Sequence, residues 1–134
     1  MTEAQTRSVV VERELAFPPE KVWRALTQPH LIEEWLMKTD FRLGVGQEFT
    51  LGGDWGSVSC KVLDAEANRS LSYTWEAFGL ESVVTWTLTR TSAGTRLRME
   101  QSGFPADQNQ AYQGARASWP QFLAKMDAVL ARLD

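Results

Sequence analysis

The strongest constraint on the fold is a series of apolar residues that recur at every second position between Phe41 and Met99. Successive side chains of a β-strand point to opposite faces of a sheet, so this period places each apolar set on one face. The sets are Phe49/Leu51, Val58/Cys60/Val62, Leu71/Tyr73/Trp75, Val84/Trp86/Leu88 and Leu97/Met99. The intervening positions are mostly polar, which is typical of a sheet with one face in water. The pattern predicts strands that share one buried face.

Short turn-like segments separate these strands. They are Gly44-Val45-Gly46, Gly52-Gly53-Asp54, Ala67-Asn68-Arg69 and Ala93-Gly94. Antiparallel strands can be joined by such short connections, whereas parallel strands need a crossover of a dozen or more residues. The sequence therefore predicts an antiparallel meander.

After the strands, the apolar spacing changes from two to three or four residues between Asn109 and Leu133. This spacing predicts a long amphipathic helix, and its roughly 25 residues would extend about 37 Å across the apolar face of the sheet. Pro120 lies inside the helix, so we expect a kink or a break near Arg116, whose carbonyl loses its partner. Ser102 to Asn109 is expected to be an irregular connection.

The first part of the chain predicts one strand and two short helices. Ser8 to Leu15 is rich in β-branched residues, and Pro18-Pro19 ends this strand because proline cannot donate to the ladder. Glu20 to Leu26 and His30 to Leu36 have helical spacing, and each follows a proline. The whole pattern predicts an α+β fold that residues 1–134 form as a single domain.

Charge and composition exclude several kinds of partner. The formal net charge is -3 and the sequence pI is about 5.2, so the chain lacks the basic excess of a nucleic-acid binder. No apolar stretch approaches the roughly 20 residues that span a bilayer. Cys60 is the only cysteine, and Met1 to Val11 contains no signal-peptide core. We expect a cytoplasmic protein, as a monomer or a homodimer, with no nucleic-acid partner and no membrane insertion.

Few residues have the pattern of a catalytic or metal site. His30 is the only histidine, which excludes sites built on two or three imidazoles. Cys60 lies between Val58 and Val62 on a predicted inward face, where a thiol behaves as a small hydrophobe with a raised pKa, so we expect core packing rather than nucleophilic activation. No Gly-x-Ser-x-Gly motif supplies a nucleophile. We predict no metal, no cofactor and no catalytic role for either residue.

Aromatic residues carry the main functional signal, because six tryptophans are many for 134 residues. They lie in segments that converge between sheet and helix, where they either fill the core or line a cavity. Gln101 continues the inward parity of Leu97 and Met99, and its amide needs a hydrogen-bond partner there. The candidate ligand-binding residues are Trp35, Phe41, Trp55, Tyr73, Trp75, Trp86, Met99, Gln101, Phe104, Tyr112 and Trp119.

Three stretches of the chain resemble a known family. They read VVVERELAFPPEKVWRALTQPHLIEEW from Val9 to Trp35, KVLDAEANRSLSYTW from Lys61 to Trp75, and GTRLRMEQSGF from Gly94 to Phe104. They are similar to the family named for the activator of heat-shock-protein ATPase, within the START-related (SRPBCC) superfamily of polyketide cyclases and lipid-transfer proteins. The resemblance implies the helix-grip fold, in which a curved antiparallel sheet wraps around a long C-terminal helix and a central cavity.

The resemblance does not decide the function, because members of the superfamily include carriers, cyclases, hydrolases and cochaperones. Gln101 stands where relatives often have histidine, which weakens an acid-base role at that position. Our main hypothesis is binding of a small hydrophobic or aromatic molecule without catalysis. The alternatives are a cyclase- or hydratase-type enzyme that orients its substrate with Tyr73, Tyr112 and Gln101, and a protein-interaction module. An almost purely apolar pocket would favour binding over catalysis.

Overall fold

The computed structural model describes residues 6–53 and 56–133, and in this part of the chain seven strands form one antiparallel, curved sheet. The elements are β1 (Thr6–Leu15), α1 (Pro19–Thr27), α2 (Pro29–Trp35), β2 (Lys38–Thr39), β3 (Glu48–Gly53), β4 (Gly56–Glu66), β5 (Ser70–Ala77), β6 (Leu80–Arg90), β7 (Thr95–Pro105) and α3 (Asn109–Arg132). The strand order is β1-β7-β6-β5-β4-β3-β2, so β2 to β7 form a meander and β1 pairs with β7. This confirms the predicted α+β, helix-grip architecture.

Prolines position the two short helices that follow β1. Pro19 lies in the first turn of α1 and Pro29 in that of α2, where a missing backbone N–H costs no helical hydrogen bond. Gln28 ends α1 and also precedes α2, so the helices follow each other directly. The Trp35 indole N–H donates to the Ala25 carbonyl at 2.8 Å and holds α2 against α1.

The apolar face of the sheet and the inner face of α3 enclose the core. Every residue of the predicted inward sets is buried, except that Trp75 is only half-buried. From α3, Trp119 and Leu123 are buried against the same core. The Trp86 ring meets Trp35 of α2 and Trp119 of α3 edge-on, with centroids 5.6 Å apart in both pairs. Trp86 therefore connects the sheet to both helical parts of the molecule.

Helix α3 continues through Pro120, so of the kink or break expected near Arg116 the break does not occur. A proline inside a helix costs about 3 kcal/mol or more, because it removes one hydrogen bond and crowds the preceding turn. Trp119 and Leu123, next to Pro120 and three residues beyond it, are both buried and hold the helix on the core. This packing offsets the local cost, since tertiary contacts supply most helical stability.

Two further segments differ from the sequence-based expectation. Strand β7 extends to Pro105, so the connection to α3 is only residues 106–108 rather than Ser102 to Asn109. Gly103 makes this possible by adopting a φ of +105°, which is readily open to glycine. A turn at Phe78-Gly79, with φ values of +53° and +81°, joins β5 to β6 where no turn was expected. Two positive φ values suit the tight turn of a two-residue hairpin.

Candidate functional site

A pocket of about 510 Å³ lies between the inner face of strands β4 to β7 and the first half of α3. Its volume falls in the range of about 300–1,000 Å³ that is usual for small-molecule sites. The lining residues are Met37, Val58, Trp75, Ala77, Phe78, Leu80, Gln101, Phe104, Gln108, Ala111, Gly114, Ala115, Ser118, Trp119 and Phe122. None of these side chains is charged, so the pocket is an apolar space with a few neutral polar groups.

Aromatic rings from both layers form the walls of the pocket. Trp75 and Phe104 lie on the sheet, and Trp119 and Phe122 lie on α3. The rings of Trp75 and Trp119 meet at a centroid distance of 5.3 Å and an interplanar angle of 61°, and those of Trp119 and Phe122 at 5.6 Å and 72°. Edge-to-face contacts of this kind are favourable, so the rings support one another. The aromatic surface of the pocket is therefore preformed.

A chain of hydrogen bonds holds Gln101 in the pocket wall, where it is only 2% exposed. The Trp119 indole N–H donates to Oε1 of Gln101 at 2.7 Å, and Nε2 of Gln101 donates to Oγ of Ser82 at 3.0 Å. The Ser82 hydroxyl donates in turn to the Trp75 carbonyl at 2.9 Å. An indole N–H can only donate, so the Gln101 atom that faces Trp119 must be the carbonyl oxygen. The orientation of the amide is thereby fixed.

The β5–β6 turn and the beginning of α3 form the mouth of the pocket. Phe78 is 78% exposed at this turn. Its neighbour Gly79 lies close to the start of α3, since a Cβ on Gly79 would be 3.8 Å from Nε2 of Gln108. Gly114 on α3 borders open space, because a Cβ built there would meet no described neighbour within 4 Å. The pocket lining therefore reaches the surface near Phe78 and the first turns of α3.

The structure brings together some of the predicted ligand-binding residues and separates others. The pocket contains Trp75, Gln101, Phe104 and Trp119. The core buries Trp35, Phe41, Tyr73, Trp86 and Met99 away from the pocket. Tyr112 is half-buried outside the pocket, with its ring 3.9 Å from the Arg7 guanidinium and edge-on to Phe104. Trp55 lies outside the described residues.

The protonable groups singled out from the sequence also lie away from the pocket lining. Burial raises the pKa of the Cys60 thiol to about 12, so the thiolate does not form near neutrality. Burial likewise raises the pKa of Tyr73, whose hydroxyl accepts a hydrogen bond from the Trp86 indole at 3.0 Å. His30 is exposed on α2. Among the described residues, no cluster of three or more His, Cys, Asp and Glu side chains could hold a metal ion.

Sequence reasoning missed most of the helical lining of the pocket. Ala111, Gly114, Ala115 and Ser118 follow one another at steps of three, one and three residues, which places them on one face of α3. A stripe of small residues on the inner face of a covering helix leaves room that larger side chains would fill. This stripe precedes the aromatic pair Trp119 and Phe122, and it was the available signal for a pocket at the beginning of the helix.

A family model described as "Activator of Hsp90 ATPase homolog 1-like protein" matches residues 16–131. The chain belongs to this family. The match confirms the resemblance drawn from the three sequence stretches, and the structural neighbours have the SRPBCC-type fold. A comparison with curated proteins gave no match. Within the described residues, no helix combines the length and apolar character that a membrane span requires.

Solved structures of related proteins extend this assignment. Protein MLL2253 from Mesorhizobium loti is 58% identical, with 96% of this chain and 99% of that chain covered and a TM-score of 0.93. CalU16 from Micromonospora echinospora is 25% identical, covering 95% of this chain and 78% of that chain with a TM-score of 0.82. Protein NE0264 from Nitrosomonas europaea shares the fold, with 22% identity and a TM-score of 0.81. The match covers 93% of this chain and 94% of that chain. The family and these neighbours indicate a ligand-binding fold.

Proposed function

We propose that this protein binds a small hydrophobic or aromatic molecule in the pocket between the sheet and α3, without catalysing a reaction on it. The observation that carries the proposal is a space of about 510 Å³ with aromatic walls, to which the described residues contribute no charged side chain. Burial of apolar ligand surface in such a space stabilises the complex by roughly 25 cal/mol for each Å² removed from water. We further propose that the chain acts as one domain in the cytoplasm, where a reducing environment suits the unpaired, buried Cys60.

The polar groups of the pocket support binding rather than the enzymatic alternative. Tyr73 and Tyr112, which that alternative combined with Gln101, do not line the pocket. Among the described residues, the polar groups of the lining are the amides of Gln101 and Gln108, the hydroxyl of Ser118 and the indole N–H groups of Trp75 and Trp119. Acid-base catalysis needs a group that titrates near the working pH, and amides and aliphatic hydroxyls do not. These groups can orient a ligand by hydrogen bonding.

Tryptophan fluorescence tests the proposal directly, because Trp75 and Trp119 line the pocket and Trp86 contacts Trp119. We expect at least one member of a panel of fatty acids, flavonoids and polycyclic aromatic compounds to quench the emission in a saturable manner. Native mass spectrometry of freshly purified protein provides a second readout, since an occupied pocket adds the mass of a copurified molecule.

A matched pair of variants on α3 locates the binding site. Gly114 lines the pocket and a Cβ there would meet no neighbour within 4 Å, so Gly114→Phe adds a ring at the pocket and should weaken binding by about tenfold or more because the ligand loses volume. Ala117→Phe adds the same ring to an exposed position outside the lining, and should leave affinity within about twofold. Equal affinities in both variants would place binding elsewhere. No quenching by any compound, in a folded sample, would favour the protein-interaction module.

A further inference from the structure

We infer that the pocket selects neutral aromatic molecules that carry one hydroxyl or carbonyl group, and that Gln101 recognises this group. The inference rests on the proposed function and names the chemical class of its ligand. Two observations carry it: the hydrogen-bonding capacity that the buried Gln101 amide leaves unused, and the absence of charge from the pocket lining in the part of the chain that the structure describes.

The first observation follows from counting the hydrogen bonds of the Gln101 side chain. A primary amide has two N–H donors and a carbonyl oxygen with two lone pairs. Ser82 takes one N–H and Trp119 occupies one lone pair, at 3.0 and 2.7 Å. One N–H and one lone pair remain without a partner among the described residues. Gln101 is 2% exposed and lines the pocket, so a molecule bound there lies next to its side chain and is the candidate partner for this unused capacity.

The position of Gln101 also sets the direction in which a ligand lies. Gln108 and Ser118 are half-buried, and Gln108 lies beside Gly79 at the mouth. Gln101 is more deeply buried than either of them, and the ring of Trp119, which donates to it, lines the same pocket. The polar group of a ligand therefore points toward Gln101, while its aromatic body fills the space between the sheet and α3.

A hydroxyl group suits this site better than other neutral groups. A hydroxyl group can accept a hydrogen bond from the unused N–H of Gln101 or donate one to the unused lone pair of its carbonyl oxygen. A carbonyl group can only accept, and a hydrocarbon can do neither. A net hydrogen bond in a buried site contributes about 0.5–1.5 kcal/mol in proteins, which corresponds to roughly two- to twelvefold in affinity. We therefore expect a phenol to bind more tightly than the parent hydrocarbon.

The second observation excludes anionic ligands from the buried part of the pocket. Within residues 6–53 and 56–133, no Lys, Arg or His lines it, so a carboxylate beside Gln101 would meet one free amide N–H and no compensating charge. Burying an ion without a counter-charge costs far more than burying a neutral polar group. A carboxylate should bind more weakly than its own methyl ester, although the ester is larger.

Four probes of one ring system test both parts of the inference on the unmodified protein: naphthalene, naphthol, naphthoate and methyl naphthoate. Affinities are measured at neutral pH by two-dimensional amide NMR of isotope-labelled protein. We expect naphthol to bind about five- to tenfold more tightly than naphthalene, and the ester at least about tenfold more tightly than naphthoate. Naphthol should also shift the side-chain amide signal of Gln101.

Two variants assign the preference to the amide. Gln101→Met replaces it with an apolar side chain of similar length and should reduce the preference for naphthol over naphthalene to within about twofold. Gln121→Met, at an exposed position of α3 outside the lining, should keep the full preference. If Gln101→Met does not fold, the four-probe series on the unmodified protein still decides the question.

The outcomes separate this inference from the proposed function. Naphthalene binding as tightly as naphthol, or naphthoate binding as tightly as its ester, would overturn the inference and leave the proposed function standing. The same holds if none of the four probes binds while other compounds quench tryptophan emission and Gly114→Phe weakens them. Failure of every compound in both experiments would overturn the proposed function as well.

Discussion

The Trp119→Ala substitution should lower the free energy of unfolding by about 4 kcal/mol, because truncation of a buried aromatic residue costs about 3–5 kcal/mol. The residue is 2% exposed, and its ring meets those of Trp75, Trp86 and Phe122. Its indole N–H also donates to Gln101, and an unpartnered buried acceptor costs about 1–3 kcal/mol. The adjoining pocket lets water reach part of the vacated space, so we expect the middle of the range rather than the sum.

Urea denaturation followed by far-ultraviolet circular dichroism measures this loss, since the substitution itself changes the fluorescence. Trp119→Phe keeps one aromatic ring but removes the N–H together with part of the buried indole, so it should cost at least the roughly 1–3 kcal/mol of an unpartnered buried acceptor. The double variant Trp119→Phe/Gln101→Met should lose about 1 kcal/mol less unfolding free energy than the sum of the two single variants, because both single changes break the same hydrogen bond. A loss below about 1 kcal/mol for Trp119→Ala would refute its role in joining helix and sheet.

Four further predictions concern single positions. His30→Gln and Cys60→Ala should each leave ligand affinity within about threefold, or about 0.7 kcal/mol, since neither residue lines the pocket; a hundredfold loss of an activity in folded protein would make the enzymatic alternative the better one. Above the ordinary thiol pKa of 9.0, the unfolded chain loses the Cys60 proton while the folded protein, with a pKa of about 12, retains it. Between these two pKa values the free energy of unfolding, measured relative to Cys60→Ala, should therefore fall by up to about 1.4 kcal/mol for each pH unit. Denaturation at several alkaline pH values measures this slope, and an exposed thiol would give none. Gly114→Ala should raise the free energy of unfolding by about 0.5–1 kcal/mol, because alanine favours a helix and its Cβ meets no neighbour within 4 Å. A lower free energy of unfolding in urea denaturation would mean that the position is crowded. Gly94→Ala should cost more than about 2 kcal/mol, because the new Cβ would lie 2.2 Å from the Leu15 carbonyl oxygen, and unchanged denaturation would contradict that close approach.

The sheet and its covering helix could be predicted because each has a strict period in the sequence. The inward sets of β3 to β7, such as Leu71/Tyr73/Trp75, alternate with polar residues and lie on the apolar face of the sheet. A one-residue slip would expose such a set, so the burial pattern specifies the register strongly. Pro19 and Pro29 marked the helix starts for an equally local reason, the fixed φ of proline.

The pocket could be predicted only in part. The two-residue alternation of a strand shows which face of the sheet a side chain lies on, but not how far that face lies from α3. Tyr73 and Trp75 are two residues apart on one strand and point the same way. The Tyr73 ring meets Phe49 at 5.2 Å and is buried, whereas Trp75 lies where the small residues of α3 leave space. The division between core and pocket therefore depends on residues from another element, such as Gly114, and no periodicity within β5 encodes it.

Two local features escaped prediction because tertiary packing overrides intrinsic preference at them. Phe78 occupies a left-handed conformation that bulky residues rarely adopt, so no propensity rule places a turn there. The flanking strands β5 and β6 pair from Ala77/Leu80 inward and leave only two residues for the connection. The same reasoning applies to Pro120, where burial of the flanking helix compensates for a residue that would interrupt an isolated one.

The polar groups that line the pocket, such as the amide of Gln101, are uncharged. The strongly shifted protonable groups of the core, Cys60 and Tyr73, have pKa values raised well above neutrality, and neither lines the pocket. Gln101 is held by Ser82 and Trp119 in one orientation, which suits recognition of a group that both donates and accepts. A residue fixed in this way can orient a bound molecule but cannot exchange a proton with it. Gln101 can therefore contribute to the site through position and hydrogen bonding alone.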